Sequence, residues 1–145
     1  MRRFLPVVAL VVVLTAVGCD NSGSSASPSD SSTSPSATLT TETFSGIVAV
    51  GSSDFRPFTA AQAGGVNVTL TAVGPPSTIF MGLGVGAPSP SGSTCDLFPS
   101  ASTAAQAGTT PQLAGTVNAG AYCVEVYDIG NQVTPVTYTV TVTHP

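Results

Sequence analysis

The clearest structural signal in the sequence is the stretch VTYTVTVT at residues 136–143. Apolar and hydroxyl-bearing side chains alternate strictly in this stretch, which is the two-residue period of a strand with one buried face. The same alternation occurs at residues 66–72, where valine, leucine and alanine alternate with asparagine and threonine. Both stretches therefore predict half-buried β-strands.

A third alternating stretch, at residues 122–127, also shows which of its faces points outward. One face carries Tyr122, Val124 and Val126, and the other carries Cys123, Glu125 and Tyr127. Because burying an unpaired carboxylate is costly, Glu125 assigns the second set to the outer face.

Weaker strand signals occur at residues 44–50, 55–59, 79–85 and 112–117. About seven strands in about a hundred residues fit two packed sheets better than one open sheet, which would leave half of its apolar face in water. We therefore predict an all-β fold, a single small antiparallel β-sandwich of jelly-roll-like form with almost no helix. The hexapeptide TAAQAG occurs at residues 59–64 and 103–108, and we expect both copies to form short turns.

The N-terminal segment has the pattern of an export signal. Arg2 and Arg3 precede an uncharged run at residues 4–17, which is shorter than the roughly 20 apolar residues of a membrane-spanning helix. The run ends in LTAVGC at residues 14–19, which resembles the lipobox of bacterial lipoproteins. The resemblance implies that Cys19 is lipidated and that residues 1–18 are a signal peptide. An ordinary secretory signal with an incidental cysteine is the alternative.

A polar linker follows the predicted lipidation site. Residues 20–41 include nine serines and four threonines, so they cannot bury enough surface to offset the entropy of ordering. We expect residues 19–41 to be a disordered tether that spans on the order of 25 Å as a coil and at most roughly 75 Å when stretched. The predicted folded domain is then residues 42–145, although low complexity alone, without a spacing role, would give the same disorder.

Fixed charges are few and mostly negative. The chain has 3 Lys and Arg residues against 7 Asp and Glu residues. Arg2 and Arg3 belong to the predicted signal peptide, so Arg56 is the only fixed cation of the mature chain, whose net charge is near −6. A protein without a basic surface cannot neutralise phosphates, which excludes nucleic-acid binding.

Two cysteines remain in the predicted domain. In an exported and oxidising setting, Cys95 and Cys123 predict a disulfide. The bond would close a loop of about 28 residues and would order the stretch 86–111, in which we predict no strand. A metal site and a thiol nucleophile are the alternatives. With a single histidine, His144, the two cysteines fall short of the four ligands of a zinc site. As the base of a thiol nucleophile, His144 would have to act from a frayed C-terminal end.

Part of the predicted domain resembles a known family. The stretch AGAYCVEVYD at residues 119–128, followed by YTVTV at residues 138–142, resembles the closing strands of the bacterial pre-peptidase C-terminal domain family, and residues 44–46 and 66–70 fit its opening strands. The resemblance implies a small jelly-roll-like sandwich without catalytic residues, of a kind usually appended to secreted hydrolases. Some members bind calcium, but residues 79–85 here have no oxygen ligands, so no metal site follows.

The other candidate site residues are acidic side chains and one tyrosine. Asp54, Asp96, Glu125 and Asp128 share no local motif, so we interpret them as solvated surface acids rather than as the carboxylate pair of a hydrolase. The sequence DIGN, which begins at Asp128, predicts a turn, with a calcium loop as the alternative. Tyr127 faces outward and is a candidate platform for a sugar, with shielding of the disulfide as the alternative.

Together these features predict a lipid-anchored, non-enzymatic display or interaction domain of the bacterial cell envelope, exported to the outer membrane or the cell surface. It would contact the membrane only through its lipid anchor, and loops at one end of the sandwich would contact an envelope protein or a polysaccharide. The alternative is a carbohydrate-binding or calcium-stabilised accessory module that acts in trans with a secreted hydrolase. No cofactor is predicted.

Overall fold

The computed structural model describes residues 38–145, so Cys19, the predicted signal peptide and most of the predicted tether lie outside the described residues. The described strands are β1 Thr40–Val48, β2 Ser53–Ala60, β3 Gly64–Gly74, β4 Met81–Pro88, β5 Cys95–Ala105, β6 Leu113–Val117, β7 Gly120–Tyr127 and β8 Val136–His144. This part of the chain contains no helix that is long and apolar enough to cross a membrane.

The strands form two antiparallel sheets that pack face to face. One sheet has the order β1-β8-β3-β6 and the other has the order β2-β7-β4-β5. Eight strands with this connectivity form a jelly roll. The predicted β-sandwich is therefore confirmed, with eight strands where about seven were expected.

Alternating side chains of both sheets build the core between them. In β8, Val136, Tyr138, Val140 and Val142 are all buried, while the intervening threonines face outward, as predicted. On the outer face, the threonine hydroxyls of β8 hydrogen-bond to hydroxyls of β1, for example between Thr41 and Thr143 at 3.0 Å. Leu70 of β3 and Leu83 of β4 are fully buried from opposite sheets. The two-residue period thus identified the inner faces.

The strand β5 is absent from the sequence prediction, which placed no strand in residues 86–111. β5 pairs with β4 from Met81↔Ala105 to Pro88↔Cys95. Its sequence, CDLFPSASTAA, lies at the edge of its sheet and is mostly exposed, so it lacks the apolar alternation of a half-buried strand. The turn predicted for the second TAAQAG copy is also wrong in part, because residues 103–105 belong to β5, and the first two residues of the other copy belong to β2.

The first strand begins earlier than the sequence indicates. β1 starts at Thr40, two residues before the predicted start of the domain at Glu42. Thr40 pairs with His144 and Thr41 pairs with Thr143, so the end of the predicted tether takes part in the sheet.

The disulfide predicted from the sequence joins Cys95 of β5 to Cys123 of β7, with 5.9 Å between their Cα atoms. The strand β4 lies between β5 and β7 in the sheet, and Cys123 pairs with Gly86 of β4. A Cβ atom at Gly86 would overlap the carbonyl group of Asp96. The start of β5 therefore lies across the outer face of β4, and the absence of a side chain at Gly86 makes this close approach possible.

The strands run between two ends of the sandwich, here called the entry end and the loop end. The chain enters β1 at Thr40, and its partner His144 closes β8 at the same end. The opposite end carries the connections β1–β2, β3–β4 and β7–β8, which are residues 49–52, 75–80 and 128–135. These three connections define the loop end.

Candidate functional site

The only fixed cation among the described residues lies between the two sheets. Arg56 and Asp54 project inward from the edge strand β2, and their Nη2 and Oδ2 atoms are 2.9 Å apart. The Tyr138 hydroxyl donates to the same carboxylate oxygen at 2.9 Å, and Arg56 Nε donates to the Tyr138 oxygen at 3.3 Å. Burial raises the pKa of Tyr138. The interpretation of Asp54 as a solvated surface acid is therefore wrong in part, because the carboxylate is paired and only 25% exposed at the edge between the sheets.

This cluster has a structural role at the edge that β1 and β2 form. Arg56 Nη2 also donates to the Ser45 carbonyl at 3.2 Å, which links β2 to β1 of the other sheet. A Cβ atom at Gly46 would overlap the Asp54 carboxylate. Charged side chains that point inward from an edge strand also discourage pairing with another chain. The cluster therefore closes one side of the sandwich.

The single histidine is ordered and buried rather than frayed. His144 is the last residue of β8, and its Nε2 atom lies 2.8 Å from Glu42 Oε1. Its ring lies against Phe58, with 5.1 Å between the ring centroids. The two cysteines in the described part of the chain, Cys95 and Cys123, are bonded to each other, so neither offers His144 a thiol to activate. Among residues 38–145, no three His, Cys, Asp or Glu side chains converge on a position that could hold a metal ion.

Asp128 organises the loop end. Its Oδ1 atom accepts hydrogen bonds from the backbone N–H groups of Gly130 at 2.8 Å, Asn131 at 3.2 Å and Gln132 at 3.3 Å. Its Oδ2 atom accepts from the Gly51 N–H at 2.8 Å, which joins the β7–β8 connection to the β1–β2 connection. The bond from Gly51 makes the largest contribution to lowering the pKa of Asp128. These four bonds fit the predicted turn.

The lowered pKa of Asp128 predicts how stability depends on acid pH. A carboxylate whose pKa is lower in the folded state stabilises the fold above its ordinary pKa, about 4, and loses that contribution as the pH falls through the folded value. We expect the melting temperature of the wild type to fall more steeply below pH 4 than that of Asp128→Asn. Asp96→Asn, at an exposed position of β5, is the control. Parallel melting curves for the wild type and Asp128→Asn would contradict this account.

Further hydrogen bonds join the connections of the loop end. Asn131 Nδ2 donates to the Phe80 carbonyl at 3.0 Å, and Gln106 Nε2 donates to the Thr78 carbonyl at 2.5 Å. The β3–β4 connection is therefore held both to the β7–β8 connection and to the segment that follows β5. Loops cross-linked in this way present their side chains in fixed positions.

These loops carry a group of exposed apolar side chains that the sequence analysis did not identify. Val50 is 52% exposed, Phe80 47%, Ile129 44% and Val133 91%. They make up four of the seven exposed large apolar residues in the described part of the chain. We call these four residues the loop-end surface. Val50 and Ile129 each precede a turn-forming glycine, which is a sequence signal for those two residues, but Phe80 and Val133 have no such neighbour. The sequence alone also does not bring the three connections together.

A second candidate site is an apolar groove between the edge strands β5 and β6. Its volume is about 380 Å³, within the range of small-ligand sites. Val68, Val85, Phe98, Leu113 and Tyr122 are among its lining residues. No ionisable group other than the Tyr122 hydroxyl lines the groove, so its chemistry is that of an apolar cleft.

A third candidate site surrounds Tyr127 on the outer face of the second sheet. The Tyr127 ring occupies the space above its cross-strand partner Gly82, where a Cβ atom would overlap the ring. Glu125, Ser52 and Ser53 line the same shallow depression. Tyr127 and Glu125 thus face outward, as the alternation in β7 predicted.

Comparison with known protein families finds none that matches the chain. No curated protein is similar enough to the chain to count as a relative. The resemblances to bacterial lipoproteins and to the pre-peptidase C-terminal domain family therefore stay predictions from the residues that carry them.

Proposed function

We propose that the protein is a lipid-anchored, non-enzymatic display domain of the bacterial cell envelope, and that it binds its partner through the loop end of the sandwich. The observation that carries this proposal is the position of the loop-end surface. Its apolar side chains lie on hydrogen-bonded loops at the end of the strands opposite Thr40, where the chain enters from the tether. An anchor at Cys19 leaves this end free to make contacts.

The arrangement of the ionisable groups supports a role without catalysis. A general acid or base must be free to exchange a proton with a substrate. Arg56 and Asp54 bind each other and Tyr138 at the edge between the sheets, and the Asp128 carboxylate accepts four backbone hydrogen bonds. Arg56, Asp54 and Asp128 thus have partners within the fold, which supports a role without catalysis for these three groups.

Lipidation of Cys19 is tested by intact mass spectrometry of the protein purified from a bacterial host. We expect a mature chain that begins at Cys19 and carries acyl groups, and we expect it to sediment with membranes. More than one acyl chain is expected because a single chain binds a membrane only weakly. Cys19→Ala should lose the added mass, and Ser22→Ala should keep it. A chain cut elsewhere, or an unmodified Cys19, would contradict the proposal.

A second candidate function is carbohydrate binding, in trans with a secreted hydrolase. The observation that favours it is the position of the Tyr127 ring over Gly82, beside the Glu125 carboxylate and two serine hydroxyls. An aromatic face combined with acceptors and hydroxyls is suited to a sugar ring. Retention on an insoluble polysaccharide that Tyr127→Phe keeps and Tyr127→Ala loses would favour this candidate. The calcium-stabilised form of the module has less support, because backbone N–H groups occupy both oxygens of Asp128.

A further inference from the structure

We infer that the loop-end surface inserts into the interface of a phospholipid bilayer, the same bilayer that holds the lipid on Cys19. This inference names the partner of the loop end, which the proposed function leaves open. It rests on the proposed function because it takes the lipid on Cys19 as the membrane anchor. Three features carry it: the protrusion of the apolar side chains, the charge of the loops and the length of the tether.

The apolar side chains protrude separately. Val50, Phe80 and Ile129 are each about half exposed, and Val133 is 91% exposed. They come from three different connections, and Val133 is almost free of neighbouring atoms. A protein partner has to match the shape of such a surface, and its contact core is typically rich in aromatic residues and arginine. A bilayer interface accommodates protruding apolar groups without a matching shape, because burial of their apolar area drives the binding.

The loops carry few charged groups that would be costly to remove from water. Asp128 is the only ionisable side chain in the three connections, residues 49–52, 75–80 and 128–135. Its oxygens accept hydrogen bonds from four backbone N–H groups. The bonds from Asn131 to the Phe80 carbonyl and from Asp128 N–H to the Ser52 carbonyl satisfy further backbone groups near the surface. Polar groups that are already paired cost less to transfer to an apolar environment.

The charge of the loop end also indicates which lipids it fits. No Lys or Arg lies in these three connections, so the surface offers no attraction to anionic headgroups. Insertion would depend on apolar area alone. The inference therefore commits to a bilayer whose headgroups carry no net charge, and to binding that salt does not weaken.

The tether is long enough to bring the loop end back to the membrane. The strand β1 has nine residues, so the loop end lies about 30 Å from Thr40 at about 3.4 Å per residue. Because Thr40 and Thr41 belong to β1, residues 19–39 of the predicted tether remain, and they stretch to at most roughly 70 Å. The anchored domain can therefore turn and place its loop end on the bilayer of its own anchor. A tethered second contact strengthens binding because the first contact raises its effective concentration.

The test uses the chain from Asp20 onward, without a lipid, and vesicles of phosphatidylcholine. Residues 38–145 contain both sheets, the core and the disulfide, so the domain needs no anchor to fold. We expect the chain to sediment with the vesicles to the same extent at low and high salt. Val133→Ser and Ile129→Ser should each weaken binding about tenfold, because each loses buried apolar area.

Leu39→Ser is the matched control, since Leu39 is 58% exposed but lies next to Thr40 at the entry end. It should leave vesicle binding unchanged. The inference is overturned if the chain does not sediment with the vesicles, if binding requires anionic lipid and disappears with salt, or if Leu39→Ser weakens binding as much as Val133→Ser. Binding of a purified envelope protein through Val133 in the absence of vesicle binding would assign the surface to a protein partner instead.

This experiment separates the inference from the proposed function, because the chain that is tested has no lipid. Vesicle binding together with an unmodified Cys19 in the mature protein would refute the anchor and leave the insertion standing. A lipidated Cys19 together with no vesicle binding would refute the insertion and leave the anchor standing.

Discussion

Removal of the Cys95–Cys123 disulfide is expected to lower the free energy of unfolding by about 3–4 kcal/mol. The two cysteines are 28 residues apart, and the bond restricts the unfolded chain by closing that loop. A loss of this size is a large part of the stability of a small domain, which is about 5–15 kcal/mol. The disulfide also holds the start of β5 across the outer face of β4.

The measurement is urea unfolding of the double variant Cys95→Ala/Cys123→Ala. Its unfolding midpoint should be far below that of the oxidised wild type and close to that of the wild type under reducing conditions. A midpoint shift that corresponds to less than about 1 kcal/mol would contradict the assignment of a stabilising role to the bond.

Replacement of Gly86 by alanine is expected to lower the free energy of unfolding by about 3 kcal/mol, at the upper end of the usual cost of overpacking. The added Cβ would overlap the carbonyl group of Asp96 and would lie 2.8 Å from the Cα atom of Leu97. Both contacts are with backbone, which cannot rotate away as a side chain can. The strand β5 would have to separate from β4, which also strains its connection to β7 through the disulfide.

Gly115→Ala provides a matched control for Gly86→Ala. Gly115 also lies in a strand, β6, but a Cβ atom there meets nothing within 4 Å. Its effect should stay within about 0.5 kcal/mol, as for ordinary surface substitutions. If Gly86→Ala does not accumulate as soluble protein while Gly115→Ala does, the difference has the expected direction. Equal stability of the two variants would show that β5 does not lie across β4 at Gly86.

The half-buried strands could be predicted from the sequence because one face of each packs on the core. In β8, the alternation of valine and threonine records this packing directly, and in β7 Glu125 indicated the outer face. The sequence of β5 shows no such alternation. β5 is an edge strand whose start lies on the outer face of its own sheet, so its side chains do not alternate between core and solvent.

The Arg56 cluster and the loop-end surface were less predictable from the sequence, because both depend on contacts between residues that are far apart in the chain. Asp54 and Arg56 are neighbours in β2, but their partner Tyr138 belongs to the other sheet, so Asp54 was interpreted as a solvated acid. The glycines at every second position of β4 lie where Tyr127, Leu97 and the Asp96 backbone approach its outer face, and these groups come from other strands. Similarly, no local pattern in the sequence predicts the hydrogen bonds that join Gly51 to Asp128 and Asn131 to Phe80.

The central claim is that the loop end inserts into a phospholipid bilayer, and fluorescence tests this insertion most directly. The chain contains no tryptophan, so an introduced indole reports on its position alone. Phe80→Trp places the reporter on the loop-end surface, and Phe98→Trp places it at the β5–β6 groove. With phosphatidylcholine vesicles, the account predicts that the emission of Phe80→Trp shifts to shorter wavelength and that the emission of Phe98→Trp does not change. A shift in Phe98→Trp alone, or in neither variant, would contradict it.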